Sequence, residues 1–540
     1  MREQHTAKRP AKANQIPGTL ETIACFDPAT AKKLGDVPVL GRDEVVAAVE
    51  RGRAAQKAWA RTTFAQRRAV LREVLAHVVA HQEEICRLAV VDSGKTMVDA
   101  VMGEIFPVCE KLRYTIAHGQ ADLAPETRTP GFLVHKRARV EYHPFGVVGV
   151  ICPWNFPFHN LFCPVIPALF AGNAVIAKVS EWSSWSGADY VAIWQDALEK
   201  HGHSRDLVQI VTGYGETGAH LVSSGVDKVF FTGSPGTGKK VMAKASETLT
   251  PVVLELGGKD PMIVCDDAKM DQVLDAAMLG VFTACGQMCV GVERIYVFDE
   301  VYDELVRELA HRVGALRQGE PLSGDLVDIG ATTMPDQLDK IQTLVDDAIA
   351  KGARAVVGGH RNRSLPGQFF EATLLVDVDH SMRIANEECF GPVMTVIRVR
   401  NEDHLMELVN DVDYGLGASV FTRDRKRADR IASRIRSGMA VANDYGIAYM
   451  VQALPFGGIG ISGFGRINGR EGLRACCYEH SVVTDRIPVG RSFGIHPVQP
   501  RTYDLVENAV RVIYGRGLRE RAKGAFGAAR SLVSLARKKR

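Results

Sequence analysis

From Gly146 onward the chain alternates short apolar runs with longer amphipathic stretches, and this alternation restricts its fold more than any other feature. Gly146–Ile151, Ala174–Lys178, Leu207–Val211 and Lys228–Phe231 are runs of β-formers too short to be helices. Asn160–Ala171, Ser186–Lys200 and Thr217–Ser224 lie between them with helical periodicity. Strands that alternate with helices predict a parallel sheet with crossover helices, a doubly wound α/β domain. The pattern resumes after residue 257. Pro261–Cys265, Ile295–Phe298, Ala355–Val357, Val393–Val399, Ala418–Phe421 and Met439–Ala442 read as strands, with helices such as Glu300–Leu316 and Gln337–Lys351 between them. The expected fold class is α/β, with two doubly wound domains. A length of 540 residues agrees, being too great for one core.

Upstream, Ile23–Phe26 reads as a strand closed by Asp27-Pro28, and helical periodicity runs through Asp43–Ala60, Gln66–Asp92 and Met97–His118. Arg139–His143 alternates polar and apolar residues, as a half-exposed strand does. Residues 1–20 are expected to be unstructured. Hydrophobic content of 46% and charged content of 24% suit a soluble enzyme. The net charge of +3 says little about partners, and no nucleic acid is expected among them. Eleven cysteines, scattered without a disulfide framework, point to a reducing cytoplasm. Cys285 and Cys289 lack a partner set with zinc spacing, so no metal is expected. No apolar run is long enough to span a membrane, and the basic N-terminus lacks the apolar core of a secretory signal.

Chemistry concentrates between Leu254 and Arg294. Leu254-Glu255-Leu256-Gly257-Gly258-Lys259 sets a carboxylate at the end of an apolar run. Gly286-Gln287-Met288-Cys289 sets a thiol in a loop of small residues, 34 positions after Glu255. Thiol attack on a carbonyl needs an accessible nucleophile and a nearby base. Taken singly, the two residues read equally as a strand-end surface Glu and a small buried Cys. Pro153-Trp154-Asn155-Phe156-Pro157 follows the first parallel strand; its Asn is either an oxyanion donor or a cap for the next helix. Lys178 and Glu181 end the next strand, at an edge where such groups bind cofactor hydroxyls. Phe231–Lys240 is a strand, a glycine-rich turn and a helix, suited to a phosphate. It nearly matches a nucleoside-triphosphate loop, but Lys240 stands where Ser or Thr should ligate magnesium. Glu387-Glu388-Cys389-Phe390-Gly391-Pro392 reads alone as a solvated acidic turn with a core Phe.

Together, in this order, these motifs resemble the NAD(P)-dependent aldehyde dehydrogenase superfamily, over roughly Ile23 to Ile487. Lys95–Asp99, Pro157–Asn160, Leu249–Pro251 and Glu471–Cys477 look most like its plant and fungal family-22 type. The resemblance implies that Cys289 is the nucleophile, Glu255 the base that activates water, and Asn155 an oxyanion donor together with the Cys289 backbone N–H. It implies cofactor contacts at Trp154, at Lys178 and Glu181 on the adenosine ribose, and at Gly215 along the adenine. It places Gly233, Ser234 and Gly238 at the pyrophosphate, Glu388 at the nicotinamide ribose and Phe390 beside the nicotinamide. A carboxylate at Glu181 would repel a 2′-phosphate, which favours NAD over NADP. Val179 and Pro235 replace the usual Pro and Thr, and Ile459-Gly460-Ile461 replaces a segment that usually carries Lys. The implied reaction is NAD-dependent oxidation of an aldehyde to the carboxylic acid through a cysteine thiohemiacetal and thioester. A coenzyme A-acylating enzyme and an inactive scaffold-type relative are the alternatives; Glu255 opposes the first, the intact chemical residues the second.

The corresponding domains are a disordered tail at 1–22, an NAD-binding domain at 23–256 interrupted by an arm strand at 138–145, and a catalytic domain at 257–474. An oligomerisation strand at 475–487 would pair in a homodimer or homotetramer. Residues 488–540 form a basic tail. In it, Leu518, Ala522, Ala525, Phe526, Ala529, Leu532, Val533 and Ala536 share one helical face. Arg519, Arg521, Lys523, Arg530 and Arg537 lie off that stripe, and Arg537-Lys538-Lys539-Arg540 closes the chain. Such a helix either docks on protein or lies on an anionic membrane as a peripheral contact.

Overall fold

A computed structural model describes residues 21–488, 496 and 498–537. The expected N-terminal tail, apart from Glu21 and Thr22, lies outside the described residues, as do the last three residues of the chain. The chain divides into two compact units, one of residues 1–123 with 143–478 and one of residues 124–142 with 479–540.

The first unit contains both α/β sheets. The six-stranded sheet runs, edge to edge, Gly463–Phe464, Val252–Leu256, Lys228–Gly233, Val147–Ile151, Ala174–Lys178 and Val208–Val211. Val147–Ile151, the first of them in the chain, sits inside the sheet. Strands added later extend the sheet first to one side and then to the other. Strand order therefore reverses at Val147–Ile151 and Lys228–Gly233, and a doubly wound sheet opens a crevice at the carboxyl ends of such a pair. The buried side chains are the expected Val, Ile and Ala, because crossover helices cover both faces.

The seven-stranded sheet runs Arg354–Val357, Thr373–Val376, Val393–Val399, Val292–Phe298, Asp260–Val264, Ser419–Phe421 and Val441–Ala442. Its pairings are parallel except for antiparallel Arg354–Val357 at one edge. One core packs Ile341, Leu344 and Phe370 against Tyr296 and Ile397; another packs Leu305, Leu309 and Val281 against Ile295 and Val396.

The expected boundaries need four corrections. Gly463–Phe464 pairs antiparallel with Leu254 and Glu255 in the six-stranded sheet, so the chain leaves the seven-stranded sheet before residue 474. The single helix expected over Gln66–Asp92 is two, Phe64–Ala80 and Gln82–Ser93, broken at His81 with φ −116° and ψ 23°. The helix expected over Met97–His118 widens into a π-turn at Val101–Ile105. Pro107 is the physical reason, since it has no N–H to return to Gly103. Strands Lys33–Pro38 and Thr373–Val376 were not anticipated.

The second unit is wider than the expected arm. Its sheet has three strands, Cys477–Asp485, Lys136–Pro144 and Glu126–Arg128, the last unforeseen. The tail forms two helices, Thr502–Tyr514 and Gly517–Arg537, which pack on each other.

Candidate active site

Strand Val252–Leu256 carries Glu255 into the interior, paired with Thr232 on one side and Gly463 on the other. Glu255 is buried, and its Oε1 has no hydrogen-bond partner among the described residues. The strand ends at Gly257-Gly258 because other groups occupy the space that side chains would need. A Cβ at Gly257 would lie 2.4 Å from the Glu388 carboxylate, and one at Gly258 would lie 2.5 Å from the Cys289 carbonyl oxygen.

The cysteine loop leaves helix Met270–Phe282 through three consecutive left-handed residues, Ala284, Cys285 and Gly286, with φ of 49°, 58° and 72°. For Ala284 and Cys285 this conformation costs about 1–2 kcal/mol each. Its persistence is explained by the bonds around it. Gln287 Nε2 donates to the Ala284 carbonyl at 3.0 Å, and Gln287 Oε1 accepts from the Thr333 N–H at 2.9 Å. A Cβ at Gly286 would come within 2.1 Å of the Gly391 carbonyl oxygen, so no larger residue fits. The loop brings the half-buried Cys289 thiol beside Glu255, the two lining the same cleft and the same smaller cavity.

This contact sets the electrostatics. Burial pushes Glu255 up to about 8; its bond to Cys289 opposes the shift, and the charges of Glu388 and Asp260 add to it. Burial, and then Glu255, hold the Cys289 thiol well above its ordinary range. At neutral pH both groups are therefore protonated in this arrangement, and a proton must move before either reacts. Cys285, four residues earlier, is fully buried, and burial raises its thiol out of reach of ordinary titration.

Asn155 does not cap the helix that follows. The N-cap of Pro157–Ala171 is Phe156, without a side-chain bond. Asn155 Nδ2 instead donates to the Gln287 carbonyl at 2.8 Å, and Asn155 Oδ1 accepts from Asn160 Nδ2 at 3.0 Å. One amide N–H stays available, two residues from the cysteine in the loop it braces.

A cleft of ≈ 700 Å³ opens at the strand-order reversal. Cys289, Glu255, Asn155, Trp154, Lys178, Glu181, Gly215, Gly233, Ser234, Glu388 and Phe390 all line it. Gly238 does not. Its Cβ position lies 2.7 Å from Leu256, so its place is the close approach of helix to strand. Ser234 is the N-cap of helix Pro235–Ser246, its Oγ accepting from the Thr237 N–H at 3.4 Å and donating to Thr237 Oγ1 at 3.1 Å. What the turn offers the cleft is thus a helix N-terminus more than a free hydroxyl. Lys178 Nζ donates to Glu181 Oε2 at 3.0 Å. Trp154 and Phe390 meet edge to face at 5.5 Å.

Two buried charge networks support these loops, and motif reading did not reveal their roles. Lys95 Nζ bonds Glu104 at 2.5 Å and the Asn155 carbonyl at 2.7 Å, while Glu104 accepts from the His159 N–H at 2.8 Å. Lys259 Nζ bonds Glu293 at 2.5 Å, and Glu293 accepts from the N–H groups of Cys389 and Phe390 at 3.0 and 2.8 Å. The first network fixes the Asn155 loop, the second the Glu388–Phe390 turn. A smaller cavity also reaches Cys289 and Glu255, lined by His159, Tyr449, Phe456, Ile467 and Thr232. His159 Nε2 lies 2.5 Å from the Tyr449 hydroxyl. Burial and then Lys111 push His159 down to about 3, so the ring is neutral. Sequence reasoning missed Tyr449 and Ile467 in this lining, since neither lies in a motif.

Comparison with known proteins agrees with the geometry. Residues 16–482 match the aldehyde dehydrogenase family, and the chain belongs to it. It is an oxidoreductase of the NAD(P)-dependent type that converts aldehydes to acids. It is 38% identical over 506 residues to an aldehyde dehydrogenase-like protein of Schizosaccharomyces pombe, covering 92% of this chain and 96% of that one. Among solved structures it is similar to an NADP-dependent enzyme of E. coli, with TM-score 0.81 and 32% identity over 86% of this chain and 95% of that one. It is also similar to an aldehyde dehydrogenase of Bacillus cereus solved as its NAD+ complex, with TM-score 0.81 and 29% identity over 86% and 93% of the two chains.

Lys95→Met should strand the buried Glu104 charge and cost about 3–5 kcal/mol of stability. Lys95→Met with Glu104→Leu should recover most of that stability and still turn over slowly, because the Asn155 carbonyl has lost its donor. Denaturant melts and kcat of both variants test this. A double variant with the wild-type rate would show that the pair does not position Asn155.

Proposed function

We propose that Cys289, Glu255 and Asn155 oxidise an aldehyde to its carboxylic acid, with NAD as the preferred cofactor. The observation that carries this reading is the buried Glu255 beside the Cys289 thiol, with Asn155, in the lining of one cleft. The cleft fits a dinucleotide in size and chemistry. Two helix N-termini edge it, those of Gly215–Ser223 and Pro235–Ser246, and Lys178, Lys240, Lys244 and Lys340 line it. Both features favour a pyrophosphate. Lys178 and Glu181 would hold the adenosine ribose, Glu388 the second ribose, and Trp154 with Phe390 the nicotinamide. When bound, the cofactor accepts a hydride from the substrate carbon.

The residues supply the rest. Cys289 gives up its proton and adds to the aldehyde carbon. The free N–H of Asn155 and the backbone N–H of Cys289 stabilise the oxyanion. Loss of hydride leaves a thioester on Cys289. Glu255, as carboxylate, takes a proton from water, which attacks the thioester and releases the acid and the thiol. Hydrolysis by an internal base distinguishes this enzyme from a coenzyme A-acylating one. The sheet of Lys136–Pro144 and Cys477–Asp485 is the arm through which we infer a homodimer or homotetramer. The eleven free thiols suit a reducing cytoplasm.

Cys289→Ala should abolish aldehyde oxidation and leave NAD binding intact; a tenth of the wild-type rate would exclude the thiol as nucleophile. The base works only when ionised, and its ordinary value is raised to about 8. Steady-state turnover should therefore climb with pH through about 8, and Glu255→Gln should abolish that limb and show a burst of NADH before a slow phase. A first turnover slowed as much as later ones would move the role elsewhere.

Glu181→Thr should increase the use of NADP relative to NAD, since the carboxylate no longer repels a 2′-phosphate. The ratio of kcat/KM for the two cofactors reads this, and no change would mean that Glu181 does not face the ribose.

The smaller cavity is lined by Tyr449, Phe456 and Ile467 and by no Arg or Lys among the described residues. A carboxylate on the substrate would find no counter-ion there. Aliphatic or aromatic aldehydes should thus outperform succinate semialdehyde in kcat/KM at least tenfold, about the worth of one unmade charged hydrogen bond. Equal efficiency would refute this assignment of the substrate side.

A further inference from the structure

The tail helices pack through small residues. A Cβ at Gly524 would lie 2.8 Å from Arg511 and 2.9 Å from the Asn508 carbonyl, and one at Gly527 would lie 2.3 Å from the Asn508 amide. This seam fixes which face of Gly517–Arg537 is turned toward its partner helix. At about 100° per residue, Leu518, Ala522, Phe526, Ala529 and Val533 fall on the face away from the seam. Leu518 is 88% exposed and Phe526 75%, and Leu532 and Val533 are exposed too. Arg519, Lys523 and Arg530 line one border of this stripe, at spacings that keep them on one side of the helix. All three are exposed, and none is ion-paired among the described residues. No described helix is long and apolar enough to cross a membrane.

We propose that the outer face of Gly517–Arg537 binds the surface of an anionic lipid bilayer. Its apolar stripe would enter the boundary between headgroups and acyl chains, and its cationic border would meet lipid phosphates and carboxylates. Charge selects the occupant. A second copy of this face would bring Arg519, Lys523 and Arg530 against their own kind. The other tail helix also exposes an apolar stripe, Tyr503, Val506, Val510 and Tyr514. That stripe is bordered by Glu507, which is spent on Arg511 at 2.7 Å, and carries no free cationic border among the described residues. The proposal therefore assigns lipid to one face only, independently of the chemistry at Cys289.

The test is co-sedimentation of the full-length protein with phosphatidylcholine vesicles, with and without phosphatidylserine. The full chain should pellet with the phosphatidylserine vesicles at low salt, and high salt should release it. Arg519→Gln, Lys523→Gln and Arg530→Gln combined should weaken binding roughly a hundredfold, at about fivefold per cation. Phe526→Ser should weaken it with the charges kept. Both variants should retain wild-type activity on a soluble aldehyde, which shows that the enzyme is folded. Full-length protein that stays in the supernatant with phosphatidylserine vesicles at low salt overturns the proposal. So does a triple variant that pellets like the wild type. Loss of oligomeric state in Phe526→Ser, measured by sedimentation velocity, without any lipid binding by the wild type would assign the face to a neighbouring subunit instead.

Discussion

The site depends on a buried carboxylate held against a thiol. Burial raises the proton affinity of both groups, and Glu255 raises that of the thiol further, while the thiol partly offsets the rise at Glu255. The fold enforces the contact from two directions. A strand whose neighbours are paired on both sides carries Glu255, and a left-handed turn over bare backbone carries Cys289. Gly257 and Gly258 allow the two to converge, because the Glu388 carboxylate and the Cys289 carbonyl occupy the space where side chains would stand. The result is a nucleophile and a base side by side, the pair that sequential attack and hydrolysis require.

Around this pair the protein spends charge on position. Lys95 with Glu104, and Lys259 with Glu293, are buried ion pairs whose remaining bonds go to backbone groups of catalytic loops. Buried pairs contribute little net stability, because desolvation offsets attraction. Their bonding pattern gives a better account of their presence. Each ties a loop that must present a side chain or an amide to within hydrogen-bond tolerance, and a hydrophobic replacement could fill the volume without making those bonds. Phe390 shows what such a tether sustains: it holds φ of 54° while its N–H is bonded to Glu293.

The alternation of strands and helices, and with it both α/β sheets, was legible because parallel strands buried on two faces must be continuously apolar. What escaped was set by contacts distant in sequence. The return of Gly463–Phe464 to the first sheet leaves no local pattern, being two residues long and rich in glycine. The π-turn before Phe106 follows from Pro107, a residue that reads equally well as the start of a helix. The residues named for chemistry were readable because short motifs carry them. The networks under them were not: Lys95 and Lys259 stood inside quoted motifs, but their partners Glu104 and Glu293 are fixed only by three-dimensional proximity. Gly238 shows the reverse case, a motif glycine whose Cβ position is taken by Leu256, so that its smallness serves the approach of helix to strand.

The cleft and the cavity share Cys289 and Glu255 but differ in character. The cleft is bordered by helix N-termini and lysines and suits an anionic, extended molecule. The small cavity is aromatic and apolar, with a neutral His159 held by Tyr449. Both spaces reach the same thiol and carboxylate. A polar, lysine-lined approach on one side and an aromatic one on the other therefore converge on Cys289 and Glu255, and each side can be altered by substitution without touching the other.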